Sequence, residues 1–194
     1  MAVRNTTETW GVLARALHWA MALLIPGLLA LGLYMVQVLG DDPGTMVLRF
    51  ELTQTHKSFG FVAFALAVVR IGWRWSNATP AVPSKSRLTA LMARVGHLAL
   101  YGCMVVLPVS GWLMASASPM NDPDAFFPVK NMVFGMFELP DPFPRGDEVL
   151  SDSLGAVHFY AAMMLIVLVM GHVAAALKHH FVDRDMVLRR MIRS

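Results

Sequence analysis

Four histidines stand where an apolar sequence has least use for them. His18, His56, His158 and His172 fall inside long hydrophobic runs, whereas His97, His179 and His180 lie at the edges of such runs. Ionisable side chains within hydrocarbon are rare, and those that persist face a bundle interior or line a functional site. His158 and His172 are 14 residues apart. On one helix that spacing covers about 21 Å of axis at ~1.5 Å per residue. It misses four whole turns by only about 40°, so both rings face one side at two depths. Partners at matching depths exist. His18 lies early in the first run and His172 late in the fourth; His56 opens the second run and His158 opens the fourth. The expected pairs are His18 with His172 and His56 with His158.

Two imidazoles facing each other across a helix bundle suit axial ligation of a haem iron from both sides. A zinc site would need third and fourth ligands, and neither layer offers a convincing Cys or carboxylate. The single cysteine, Cys103, rules out a C-x-x-C-H attachment site and a thiolate cluster, so a haem here is expected to be held non-covalently. Bis-histidine ligation leaves no open iron position, which favours electron transfer over oxygen binding. The competing readings are interhelical hydrogen bonds or proton relay in a haem-free transporter. His97 opens the third run from the side of His18 and is read as a propionate or structural contact. His179 and His180 are read as solvated boundary residues. Haem propionates need cations: Arg15, Arg70, Arg74 and Arg94 lie near the inner pair and Lys57 adjoins His56, although snorkelling at the interface is the commoner role for such residues.

The elements that must carry these residues are four apolar runs, roughly Val12 to Val38, Thr55 to Trp75, Val95 to Ala117 and Leu154 to Leu177. Each is near the ~20 residues needed to cross ~30 Å of hydrocarbon. Of the 194 residues, 56% are hydrophobic and only 15% charged, with a mean hydropathy of +0.54. Soluble domains are about 25% charged, so disorder and a water-soluble fold are both disfavoured. The expected architecture is all-α: an up-down four-helix transmembrane bundle forming a single membrane-embedded domain over residues 1–194. The first run is read as a retained helix rather than a cleaved leader, because its apolar core is long and no A-x-A-like site follows. Pro26 and Pro108 are expected inside helices.

The net charge of +3 and a sequence pI of about 9.4 would ordinarily suggest nucleic acid. Their distribution points to membrane topology instead. Twelve of the 16 basic residues fall on one side: Arg4, Arg15, Arg70, Arg74, Lys85, Arg87, Arg94, Lys178, Arg184, Arg189, Arg190 and Arg193. The other side holds Arg49, Lys57, Lys130 and Arg145 with ten of the 13 acids, Asp41 among them. By the positive-inside rule both termini are cytoplasmic. The long third loop, about Ser118 to Ser153, carries six of the 11 prolines, Pro128 included, and the aromatic residues Phe126, Phe127, Phe134, Phe137 and Phe143. It is expected to form an ordered outer cap with a short helix near Asn131 to Phe137.

Five segments carry a family resemblance: RALHW at Arg15–Trp19, HKSFG at His56–Gly60, VVRIGWRW at Val68–Trp75, LPVSGWLMASA at Leu107–Ala117, and ALKHHFVDRDMVLRRM at Ala176–Met191. Through them the chain resembles the prokaryotic cytochrome b-561 family, diheme four-helix membrane proteins that include the superoxide oxidases. The resemblance implies two haems b on His18, His56, His158 and His172. It implies electron flow from a periplasmic donor to the quinone pool of the bacterial inner membrane. Superoxide is the leading donor and ubiquinone the acceptor. Trp19 and Arg15 are plausible quinone contacts. Lys57, Arg49, Lys130 and Arg145 are expected to draw an anion to an otherwise acidic face. Related haem b subunits serve hydrogenases and other dehydrogenases, which makes a membrane-anchor subunit the alternative.

Overall fold

The computed structural model describes residues 2–40, 42–80, 86–125 and 129–193. The expectations resting on Asp41, Lys85, Phe126, Phe127 and Pro128 lie outside the described residues. Helix α1 spans Val12–Tyr34 and continues into a π-helical turn, Met35–Leu39. Helix α2 spans Met46–Ser76, α3 Arg87–Ala117, α4 Glu148–Phe181 and α5 Val187–Ile192. A two-stranded antiparallel hairpin, β1 at Met132–Val133 and β2 at Phe137–Glu138, lies between α3 and α4.

Four helices are long and apolar enough to cross a membrane. Their exposed surfaces fit that reading: Leu23 is 78% exposed, Val167 69% and Met170 66%. So much large apolar surface is stable against lipid and costly against water. The protein is a mostly helical, multi-pass membrane protein.

Three of the helices outrun their apolar segments. α2 begins at Met46 and α3 at Arg87, about nine and eight residues before the hydropathy rises. Hydropathy reports the hydrocarbon, whereas a helix continues wherever its backbone ladder and caps are satisfied. Ser86 caps α3 by accepting the Thr89 N–H at 3.1 Å, and Asp147 caps α4 by accepting from Leu150 N at 3.0 Å. Such caps are worth about 1 kcal/mol each. His56 and His158 therefore do not open their helices; each stands ten residues after the helix start. Pro26 and Pro108 lie inside α1 and α3.

The chain divides into two compact units, and each long helix contributes one portion to each. The first unit comprises Met1–Leu23, Ala65–Cys103 and Met164–Ser194. Its buried residues include Leu17, Met21, Ala67, Leu100, Cys103 and Leu165. Here Trp19 donates its indole N–H to the Met191 carbonyl at 3.0 Å, and the buried Arg15 reaches the Ile192 carbonyl at 3.3 Å. Both engage the C-terminal carbonyls of α5, the end where a cation is favoured.

The second unit comprises Leu24–Phe64 and Met104–Met163. Its third loop is anchored, but the short helix expected near Asn131 to Phe137 is a hairpin. Phe134 and Gly135 have φ of +49° and +67°, which reverses the chain and is incompatible with a right-handed helix. The Phe134 N–H donates to Ser58 Oγ at 2.9 Å, and the Phe134 ring meets Phe59 edge-on at 5.2 Å. Asn131 is buried and hydrogen-bonds Asp141, while Leu139 N–H returns to the Asn131 carbonyl at 2.8 Å.

Candidate functional site

In the second unit α2 supplies His56 and α4 supplies His158, with ring centroids 6.3 Å apart. The His158 ring lies against the backbone of α3. Its Nδ1 is 2.9 Å from the Leu107 carbonyl and 3.2 Å from Ser110 Oγ. Ser110 itself donates to Leu107 O at 3.0 Å. A carbonyl only accepts, so His158 carries its proton on Nδ1 and presents Nε2 as the free lone pair. Gly111 makes this approach possible: a Cβ there would lie 3.0 Å from Cε1 and 3.2 Å from Nδ1 of His158. Gly32 stands beside His56 in the same way, more loosely, with 3.4 Å to Cε1. Nδ1 of His56 is shielded and has no hydrogen-bond partner among the described residues.

In the first unit α1 supplies His18 and α4 supplies His172, with ring centroids 6.2 Å apart. α3 adds His97, 5.5 Å from His172, its Nδ1 held at 2.7 Å from the Ala93 carbonyl one turn back. α2 adds Arg70, whose terminal nitrogen lies 3.1 Å from His18 Nδ1 and whose Nε lies 3.4 Å from the Tyr101 hydroxyl. Guanidinium only donates, so here His18 Nδ1 accepts and the proton sits on Nε2. Arg70 and Arg74 both approach the Tyr101 ring, at 5.8 and 5.6 Å from its centroid.

The separations discriminate among pairings. Two imidazoles on opposite sides of one metal, each at ~2 Å with a ring centre roughly 1.2 Å further back, have centroids about 6.4 Å apart. The distances of 6.2 and 6.3 Å meet that requirement; the 5.5 Å of His97 and His172 falls short. Among the described residues no three His, Cys, Asp or Glu side chains are grouped to hold a metal ion. A metal on either pair would take its remaining donors from a cofactor such as a haem macrocycle, and the residues present fit that group.

The other sequence candidates fall elsewhere. Arg15 and Trp19 hold α5, as described above. Lys57 lies within the field of Asp141. Lys130 pairs with Glu138 at 2.7 Å and Arg145 with Asp124 at 3.4 Å, and Arg49 donates to the Gly40 carbonyl at 2.5 Å. Of the four cations expected to draw an anion, Arg49, Lys130 and Arg145 thus have partners, whereas Lys57 only feels the charge of Asp141. His179 pairs with Asp185 at 2.6 Å and His180 lies beside Phe181. A groove of about 690 Å³ runs between α2 and the hairpin, lined by Phe50, Gln54, Ser58, Met132 and Phe134 among others. Its size suits a small organic ligand.

Sequence reasoning missed Gly32, Gly111, Ser110 and Tyr101. A signal for the glycines was present. The 14-residue step seen in His158 and His172 recurs as His18 and Gly32, His56 and Arg70, and His97 and Gly111. Each long helix thus offers one position to each site, and the glycines sit where a ring must be admitted.

Facing imidazole pairs in a helical multi-pass membrane protein are the arrangement that a membrane haem protein requires. The chain belongs to the prokaryotic cytochrome b561 family, whose description matches residues 9–194. It is 36% identical over 193 residues to cytochrome b561 homolog 2 of Escherichia coli (strain K12), covering 99% of this chain and 95% of that one. It is 25% identical over 189 residues to the probable superoxide oxidase CybB of Yersinia pestis, covering 95% and 96% respectively. Membership makes it a haem b protein of oxidoreductase type that works in electron transfer.

Proposed function

We propose that the chain is a single membrane-embedded diheme unit of the bacterial inner membrane with both termini cytoplasmic, carrying electrons from a periplasmic donor to ubiquinone. The observation that carries this reading is the near-identical centroid separation of two histidine pairs, 6.2 and 6.3 Å, whose members share α4 at a 14-residue spacing. Haem, when bound, supplies one-electron exchange at iron. His56 and His158 hold one haem, and His18 and His172 the other. Leu107 O keeps the proton of His158 on Nδ1, leaving Nε2 for iron. Gly111 lets the ring reach that carbonyl. For His18 to offer Nε2, its proton must pass to Nδ1, and Arg70 must then find another acceptor. A haem carboxylate is a suitable one, for Arg74 as well. Electron transfer needs no ligand exchange, so an anion reaching the haem edge near His56 and His158 need pass only one electron.

Superoxide is the donor favoured by the name of the Yersinia pestis relative. Quinone reduction needs two electrons and two protons, which favours a site open to water; we place it at the His18–His172 end. The groove by Gln54 is a rival place for such a ring. The test has two parts. Replacing His56 or His158 with Ala should remove one haem from the reduced-minus-oxidised spectrum and leave the other, with the reverse for His18 or His172. Purified protein given ubiquinone and a steady superoxide source should form quinol. Loss of neither haem in the four variants would sink the ligand assignment. Two haems that stay oxidised under superoxide would sink the donor.

A second reading, a membrane-anchor subunit of a dehydrogenase, is favoured by the partners of Arg49, Lys130 and Arg145, which leave fewer charges to steer a free anion. A stoichiometric partner co-purifying with the chain, and haem reduced only through it, would establish that reading.

A further inference from the structure

The two histidine sites differ in the charge that the chain itself places beside them. In the first unit two guanidiniums, Arg70 and Arg74, gather at Tyr101, and Arg70 also reaches His18. No carboxylate pairs with either arginine among the described residues. In the second unit the imidazole contact is neutral, the Leu107 carbonyl at 2.9 Å from His158 Nδ1. The adjacent cation, Lys57, lies in the field of Asp141. A haem brings the same carboxylates to either site, so the asymmetry belongs to the protein.

Each feature acts on a one-electron couple in a known direction. The reduced state carries one more negative charge, so a nearby cation favours it, and more strongly where the medium is poorly polarisable. A carbonyl that accepts Nδ1–H makes the imidazole a stronger donor at Nε2. That favours the oxidised, more electron-poor iron. Arg70 and Arg74 thus raise the reduction potential in the first unit, and Leu107 lowers it in the second.

Resting on the bis-histidine reading, we propose that the chain sets the His18–His172 haem at the higher potential and the His56–His158 haem at the lower. An electron entering at the lower-potential site then moves downhill. The ferrous centre there becomes ferric as the ferric centre at His18–His172 becomes ferrous, with no bond made or broken. A one-electron reductant refills the first, and a quinone drains the second after two turnovers, taking two protons from water.

The experiment is a potentiometric titration of the purified, haem-loaded full chain followed by optical spectra. His158→Ala and His172→Ala, each retaining one haem, assign the two potentials. The expected result is a higher potential for the haem left in His158→Ala. Arg70→Gln, which keeps a donor but removes the charge, should lower the His18–His172 potential. The reduced-to-oxidised ratio at fixed applied potential should fall about tenfold, equivalent to about 59 mV for one electron. Arg70→Lys should recover most of it. The reverse order of potentials, or a shift in Arg70→Gln confined to the other haem, would overturn the proposal. Should Arg70→Gln fail to fold, the order measured in the two single-haem variants still decides. A chain that binds one haem, or loses none in the histidine variants, refutes the ligand reading instead.

Discussion

The His56–His158 site is held by backbone, and the His18–His172 site by long side chains. One imidazole of the first rests on a helix carbonyl beside a glycine, where a Cβ would be tight against the ring. The second is bordered by the side chains of Arg70, Arg74, Tyr101 and His97. A backbone contact fixes tautomer and ring orientation but leaves little room for an added atom. A side-chain border tolerates substitution and sets charge. Two histidine pairs of nearly equal separation therefore have different points of fragility.

The largest effect expected from that contrast is at Gly111. A Cβ 3.0 Å from Cε1 of His158 obliges the ring to give by a few tenths of an ångström, against its hold on the Leu107 carbonyl. On the bis-histidine reading, Gly111→Ala should weaken or shift the His56–His158 haem signal and leave the other unchanged. Gly32→Ala, with 3.4 Å to His56, is an ordinary contact and should keep both. Equal spectra for Gly111→Ala and the parent chain would break the comparison.

A smaller effect sharpens it. His97 approaches His172 at 5.5 Å, too close for opposite axial ligands. His97→Ala should keep both haems with a modest change in band position. If it strips the haem that His18→Ala retains, the first unit's pair is misassigned. Smaller again is Ser110→Ala. Leu107 O loses the Ser110 donor but keeps His158, so a loss of about 1 kcal/mol or less is expected, readable as a small fall in the thermal midpoint with both haems present.

What the sequence disclosed and what it hid have physical causes. The histidine pairs were legible because an imidazole in a 20-residue apolar run has few reasons to be there, and because helical periodicity converts 14 residues into a shared face. The start of α2 at Met46 was hidden, because a run such as Arg49 to Gln54 is polar enough to read as loop while its backbone ladder continues. The hairpin was hidden because its decisive feature is the positive φ of Phe134, which no residue-type rule predicts for an aromatic side chain. Gly111 was legible only as spacing; its role appears once the His158 ring is seen against it. The pairing of the outer cations was hidden for a simpler reason: Lys130 and Arg145 were legible only as a count, and Glu138 and Asp124 become their partners once the fold brings them together.

The smallest expected effect concerns a region held by neither device alone, the junction of α4 and α5. Asp185, just before α5, accepts from Val187 N at 3.0 Å and lies 2.6 Å from His179. Asp183 lies beside it, paired with Lys178. Partial burial works against the charge of Asp185, but the Val187 N–H and His179 more than offset it and hold its carboxyl below the ordinary carboxylate range. The sign follows. A carboxyl whose value is lowered on folding contributes stability above its unfolded value, and that contribution is lost as pH falls through the lowered folded value. The junction should therefore be unchanged from neutral to mildly acidic pH and should loosen only in stronger acid. Trypsin at neutral pH offers a simple reading through Arg184 and Arg189. Asp185→Asn keeps an acceptor for the Val187 N–H but loses the carboxylate that meets His179, and should be cut slightly faster than the parent. Asp185→Ala loses both and should be cut faster still. The effect stays small because Arg15 and Trp19 hold the far end of α5 through the Ile192 and Met191 carbonyls. Combining Asp185→Ala with Trp19→Phe should accelerate cleavage by more than the two changes do separately. If the double variant is only additive, the two ends of α5 are held independently.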